Sequence, residues 1–207
     1  IRGCLRELGF VIPLGAKTAQ RHARTILDDP AIPIPLATTF ADALDEIHAL
    51  ETRIDSVEKQ LHALTRDNEA VQSLQQIAGI GLLTSTAMVA AAGSPHHFNS
   101  ARKFASWLGL TPREYSSGNN RYIGKISKQG DRYLRMLIVH GARSVLTRAK
   151  QRHRAGEPLN RLQQWAVKLE HRIGHNKATC ALANKLARIC WAVWKHQQPF
   201  EPNFLTH

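Results

Sequence analysis

In the stretch LDEIHALETRIDSVEKQLHAL, residues 44–64, the apolar residues after Leu44 are Ile47, Leu50, Ile54, Val57, Leu61 and Leu64, at spacings of 3, 4, 3, 4 and 3. That alternation keeps them on one stripe of a helix, a heptad seam, while Asp45, Glu51, Arg53, Asp55, Glu58 and Lys59 fill the positions between. Two readings stay open. The stripe is either a coiled-coil seam for a partner helix, in this chain or in another copy, or the inner face of an amphipathic helix packed on its own domain. The frame continues to Asn68 at a core position, but Arg66 to Glu69 also reads as a turn with an N-cap, and the turn is preferred.

On the N-terminal side of the seam, DDPAIPIPLATTF carries Pro30, Pro33 and Pro35, a density that predicts an extended linker over residues 30–40. It sets apart a short piece, 1–29, from a long helix over 41–67. Beyond the seam the pattern predicts helices over 69–77 and 83–92 joined by a Gly79-Ile80-Gly81 turn, and a short helix over 98–108 capped by Asn99 or Ser100. Residues 111–130 are polar, glycine-rich and aperiodic, a loop or short hairpin. Asp131 caps a helix that turns Leu134, Leu137, Ile138, Gly141 and Val145 inward. A last helix over 177–196 carries Leu182, Leu186, Ile189, Cys190 and Val193 on one face. The fold class is therefore mostly α, a long coiled-coil-type helix followed by a compact helical domain over 68–198 and a tail over 199–207.

The chain has 28 Lys and Arg against 16 Asp and Glu, a net charge of +12 with 11 histidines besides, which calls for a polyanionic partner. Residues 113–154 hold eleven of the basic residues against Glu114 and Asp131, a net of +9. Arg132, Arg135 and Arg143 lie within about a quarter turn of each other, opposite the apolar stripe of their helix. Such a face suits a phosphate backbone. Cys4, Cys180 and Cys190 are odd in number and widely spaced, which fits a reducing cytoplasm better than a disulfide framework or a thiolate zinc site. Residues 73–95 lack charge, but Gln75, Gln76, Gly79, Gly81, Thr84, Ser85 and Thr86 interrupt them, so a buried helical pair is expected and no membrane span. No signal peptide is expected at the N-terminus, and the first residue, Ile1, suggests a processed chain or a fragment.

Three stretches bear on chemistry. The Gly79-Ile80-Gly81 turn between apolar helices resembles a helix-hairpin-helix, in which Gly79 and Gly81 bring backbone N–H groups to a DNA phosphate; packing alone explains the same glycines. The loop Glu114-Tyr115-Ser116-Ser117-Gly118 sets two hydroxyls among Arg121, Lys125 and Lys128, cations able to stabilise charge developing on phosphorus. A polar loop that binds nothing has the same composition. His171 and His175 have the i, i+4 spacing of metal ligands, but Gly174 weakens the helix between them and no metal site is assigned. The absence of a phosphate-loop or dinucleotide fingerprint disfavours an NTPase or an oxidoreductase.

Taken in order, Ile77-Ala-Gly-Ile-Gly81, the stretch FNSARKFASWLGLTPREYSSG and the run GKISKQGDRYLR resemble the insertion-sequence transposases of the IS-one-ten family, in particular its IS-eleven-eleven group. The resemblance runs over essentially the whole chain. It implies a C-terminal transposase domain with an essential serine, a coiled-coil connector, and an N-terminal RuvC-like domain whose four acidic residues bind magnesium. It further implies DNA as substrate, a structured guide RNA as partner, and a home at the bacterial nucleoid. The family's Ser-Gly motif falls on Ser117-Gly118, so Ser117 is the implied nucleophile, with Ser116 as the alternative. Arg113, Arg121, Lys125, Lys128, Arg132 and Arg135, with Gly79 and Gly81, are the expected DNA contacts. Only the last piece of the RuvC-like domain is expected here, as residues 1–29. No cofactor is therefore expected in this chain itself, Mg2+ acting only with that domain. A homo-oligomer through the 44–64 seam is expected, and the alternative to a transposase half-site is a noncatalytic nucleic-acid-binding and oligomerisation remnant.

Overall fold

The computed structural model describes residues 1–201, so the expected tail lies mostly outside the described residues. The chain forms two compact units, Ile1–Ala63 and Leu64 onward, each with its own core.

In the first unit, α1 (Arg2–Glu7), α2 (Ala16–Ile26) and α3 (Ile34–Thr65) enclose a small core of Leu5, Ile12, Ala23, Ile32, Phe40 and Leu44. The extended linker expected over 30–40 is corrected: α3 begins at Ile34, seven residues before the predicted start at 41. The Pro33 carbonyl accepts the first helical hydrogen bonds from Leu36 and Ala37 N–H, and Pro35 stands in the first turn. There the missing proline N–H removes no helical bond, and the fixed φ favours the helix. The heptad seam is divided. Leu44 is buried in the core of this unit, Ile47 is half-buried, and Leu50, Ile54 and Val57 are exposed. The first members of the stripe thus serve their own unit and the middle ones face outward.

The second unit is a helical assembly around α9 (His175–His196), which packs against α4 (Glu69–Gln75), α6 (Ala101–Trp107), α7 (Arg132–Arg154) and α8 (Arg161–Ile173). Ala178, Ala183 and Ala187 let neighbouring helices approach α9 closely, while Leu182, Leu186, Cys190 and Val193 fill the spaces between them. Burial pushes the Cys190 thiol well above the usual thiol range, so this cysteine is a packing residue. The helix starts are side-chain capped as the residue types predict: Asn68, Ser100 and Asp131 each accept a backbone N–H three residues on, from Val71, Lys103 and Leu134. The sequence reading assigned no helix to α8, whose start is a reciprocal capping box of Asn160 and Gln163. Glu170 on α8 is paired with Lys150 on α7 and lies 3.3 Å from His175 Nδ1 on α9. The Lys150 ammonium in particular holds its carboxyl below the usual carboxylate range.

Between α4 and α5 (Leu82–Ala92), the Gly79 turn lies directly on the backbone of α7. A Cβ on Gly79 would meet the Gly141 carbonyl oxygen and Val145 Cγ2 at 2.8 Å, and Gly79 adopts φ +88, which disfavours other residues. A Cβ on Gly141 would in turn overlap the Gly79 carbonyl oxygen. Gly141→Ala gains about 1 kcal/mol in helix propensity, but the overlap with rigid backbone outweighs it. A net loss of about 2 kcal/mol is expected in urea unfolding. Gly81→Ala, at φ −91 with nothing within 4 Å of a Cβ, is expected to stay within about 1 kcal/mol of wild type.

Candidate nucleic-acid interface

Residues 111–130, expected as a loop or hairpin, form an antiparallel ribbon of β1 (Pro112–Glu114) and β2 (Ile123–Ile126). Beyond the strands, Tyr115 N–H donates to the Tyr122 carbonyl at 2.9 Å. Ser117 and Asn120 exchange backbone hydrogen bonds at 3.1 Å around a two-residue turn of Gly118 and Asn119. Ser117 therefore sits at the tip, exposed, with its Oγ free of hydrogen bonds among the described residues. Ser116 is placed differently: its Oγ donates to Glu114 Oε1 at 2.8 Å, and Arg121 Nε donates to the same oxygen at 3.3 Å.

The base of the ribbon is fixed by backbone. Gly130 has φ +142 and no room for a Cβ, which would overlap the Trp107 carbonyl oxygen at the end of α6. Arg135 Nη1 donates to the carbonyls of Leu108, Gly130 and Asp131 at 3.1, 3.4 and 3.4 Å. Arg135, expected among the DNA contacts, is thus half-buried and ties the ribbon to α6 and α7. Arg113 Nη2 likewise donates across the ribbon to the Ser127 carbonyl at 3.1 Å.

Six of the eleven cations of residues 113–154 remain. Lys125, Lys128, Arg132, Arg143, Arg148 and Arg154 have neither an ion pair nor a side-chain hydrogen bond among the described residues, and all but Arg148 and Arg154 fall between the ribbon and the middle of α7. Glu114, Glu157 and Glu170 neutralise only Arg121, Arg152 and Lys150. The crossing of Gly79 over Gly141 adds a feature that the sequence reading missed. It opens a cleft of about 610 Å³ beside the glycine turn, lined by Gly79, His140, Arg143, Ser144, Arg148 and Gln163. The i, i+4 spacing of His140, Ser144 and Arg148 on α7 was the available signal. Of the two turn glycines, Gly79 is engaged in packing, while Gly81 is exposed at the start of α5. Among the described residues no group of three or more His, Cys, Asp and Glu side chains is arranged to hold a metal, and His175 faces Glu170. Among the described residues no helix is long and apolar enough to cross a membrane.

The second unit is thus a basic helical assembly with a serine-tipped ribbon. Residues 71–156, from α4 to the end of α7, match the transposase domain of the IS116/IS110/IS902 family. The chain is 36% identical over 205 residues to a probable family 20 transposase of Pseudomonas aeruginosa, covering 98% of this chain and 59% of that protein. It is 35% identical over 202 residues to the transposase for insertion sequence element IS1111A of Coxiella burnetii (97% and 54%). It is 34% identical over 189 residues to that for IS1328 of Yersinia enterocolitica (91% and 54%). The chain spans about half the length of the curated relatives it matches.

If Arg135 anchors the ribbon, Arg135→Met frees three carbonyls and loosens residues 109–130 without unfolding the helices. Hydrogen exchange is expected to quicken in the ribbon amides of Tyr115, Ser117 and Ser127 and to stay unchanged in α9. Equal quickening in both would mean that Arg135 supports the whole unit.

Proposed function

We propose that this chain is the DNA-binding and strand-transfer part of an insertion-sequence transposase, with Ser117 as its nucleophile. The observation that carries the reading is that one family-matched segment, 71–156, combines a serine hydroxyl with no internal partner and a row of cations with no internal counter-charge. Unpaired cations on a folded unit repel one another, and a phosphate backbone relieves that repulsion. Lys125, Lys128, Arg132 and Arg143 take phosphates, and the cleft beside Gly79 takes a further stretch of backbone. The serine oxygen then attacks phosphorus. A Ser117 Oγ–P bond forms as the bond from phosphorus to the strand oxygen breaks, and the serine proton passes to solvent while the departing strand oxygen takes a proton from solvent and leaves as a hydroxyl. A second DNA hydroxyl attacks the phosphoserine, restoring Ser117 and joining the strands.

Ser116 is a second reading with its own support, because the Glu114 carboxylate already accepts a hydrogen bond from its hydroxyl and could act as its general base. A structured guide RNA would engage the same unpaired cations, at the bacterial nucleoid. The outward-facing Leu50, Ile54 and Val57 support self-association through the seam, to be read as the mass of the protein in the binding buffers.

Two tests follow from the charge and from the hydroxyl. Lys125→Ala combined with Arg132→Ala is expected to weaken duplex binding whatever the sequence and to lower the slope of log K against log salt by about 2, one for each lost phosphate contact. An unchanged slope would remove both residues from the interface. With a RuvC-like domain of the family supplied in trans, Ser117→Ala is expected to abolish strand transfer and the covalent protein–DNA adduct while leaving duplex affinity intact. Loss in Ser116→Ala alone would transfer the role to Ser116, and binding without an adduct in the wild type would favour the noncatalytic module.

A further inference from the structure

Two tyrosines on the ribbon take no part in the chemistry above. Tyr115 and Tyr122 are cross-strand neighbours through the 2.9 Å backbone hydrogen bond, their ring centroids are 6.1 Å apart, and they are 59% and 66% exposed. Directly opposed residues of an antiparallel pair project from the same face, and Gly124, two residues beyond Tyr122, shares that face. Tyr115 Cε2 lies 3.2 Å from where a Gly124 Cβ would stand, so the Tyr115 ring lies across a part of the ribbon that has no side chain. The outcome is an open aromatic surface immediately below the Ser117 turn, with Arg121 and Lys125 next in the chain to Tyr122 and Gly124. A buried core explains neither the exposure nor the pairing, since the ribbon has only two strands.

We infer that Tyr115 and Tyr122 form a stacking platform for an unpaired base of the DNA strand presented to Ser117. The inference rests on the proposed DNA reading and deepens it. Every base has a π-face, so stacking on tyrosine is tolerant of sequence, and the flanking cations hold the adjoining phosphates. A duplex keeps its bases stacked on one another and has none to offer. The platform therefore favours single-stranded or locally opened DNA over duplex, and it places the backbone of an unpaired nucleotide next to the nucleophile.

The experiment compares wild type, Tyr115→Leu with Tyr122→Leu, and Tyr115→Phe with Tyr122→Phe for binding to a 12-nucleotide single-stranded DNA containing 2-aminopurine, to the matching duplex, and to the same sequence as RNA. Leucine keeps an apolar cross-strand pair but presents no ring; phenylalanine keeps the ring and loses only the hydroxyl. The leucine variant is expected to lose about tenfold or more in single-strand affinity, together with the quenching of 2-aminopurine on binding, and to bind duplex as the wild type does. The phenylalanine variant should retain both. Unchanged single-strand affinity and quenching in the leucine variant, or an equal loss on duplex, overturns the platform while leaving the basic interface standing. A tyrosine-dependent loss confined to RNA overturns the assignment to DNA. A wild type that binds neither single strand nor duplex overturns the platform and the DNA reading together.

Discussion

The arrangement of the second unit depends on one contact without side chains, the crossing of the Gly79 carbonyl over Gly141. Two backbones can approach this closely only where both residues lack Cβ, and the contact fixes the turn between α4 and α5 at one height along α7. With α9 packed against α7 as well, the helix has its apolar stripe enclosed and its opposite face left to solvent. Arg132, Arg143, Arg148 and Arg154 of α7 are left exposed. Arg143 and Arg148 consequently flank the glycine turn, and the cleft between them follows from the packing.

The ribbon obeys a different constraint. Two short strands with mostly exposed side chains bury too little apolar surface to be stable alone, so their position comes from the ends. Gly130 pressed against the Trp107 carbonyl and Arg135 bonded to three carbonyls provide that anchorage, and Lys128 N–H adds a bond to the Gly109 carbonyl at 3.1 Å. The base of the ribbon is thus held by backbone contacts while its tip stands in solvent, an arrangement that suits the hydroxyl proposed as nucleophile.

Most of the helices were legible because their signals are local. Asn68, Ser100 and Asp131 declare helix starts through a single hydrogen bond each, and the apolar periods of α7 and α9 match their buried faces. The proline-rich segment misled because a proline in the first turn of a helix and a proline in an extended linker look alike, and what separates them is whether Phe40 and Leu44 have a core to enter. The role of Arg135 was hidden for a related reason. Its place on the helical wheel is that of Arg132 and Arg143, and only the tertiary approach of the Leu108 and Gly130 carbonyls distinguishes it. The glycine turn carried two meanings in the sequence, and Gly141, sixty-two residues further on, reveals the packing one for Gly79.

The two adjacent serines show how charge divides similar residues between roles. Glu114 is one of two acidic residues in 113–154, and it sits within hydrogen-bond reach of Ser116 and Arg121. A carboxylate beside a hydroxyl can receive its proton, yet it also repels an incoming phosphate, by about 1 kcal/mol at 4 Å in water and more as water is displaced. The Arg121 guanidinium offsets part of that repulsion through its Nε bond to Glu114, and its exposed Nη groups remain able to meet a phosphate. Ser117 escapes the conflict. Its Oγ is exposed and has no hydrogen bond among the described residues, so in the proposed reaction the phosphodiester reaches it without displacing an ion pair. The Ser116–Glu114–Arg121 cluster then acts on the ribbon itself, joining its two arms below Ser117.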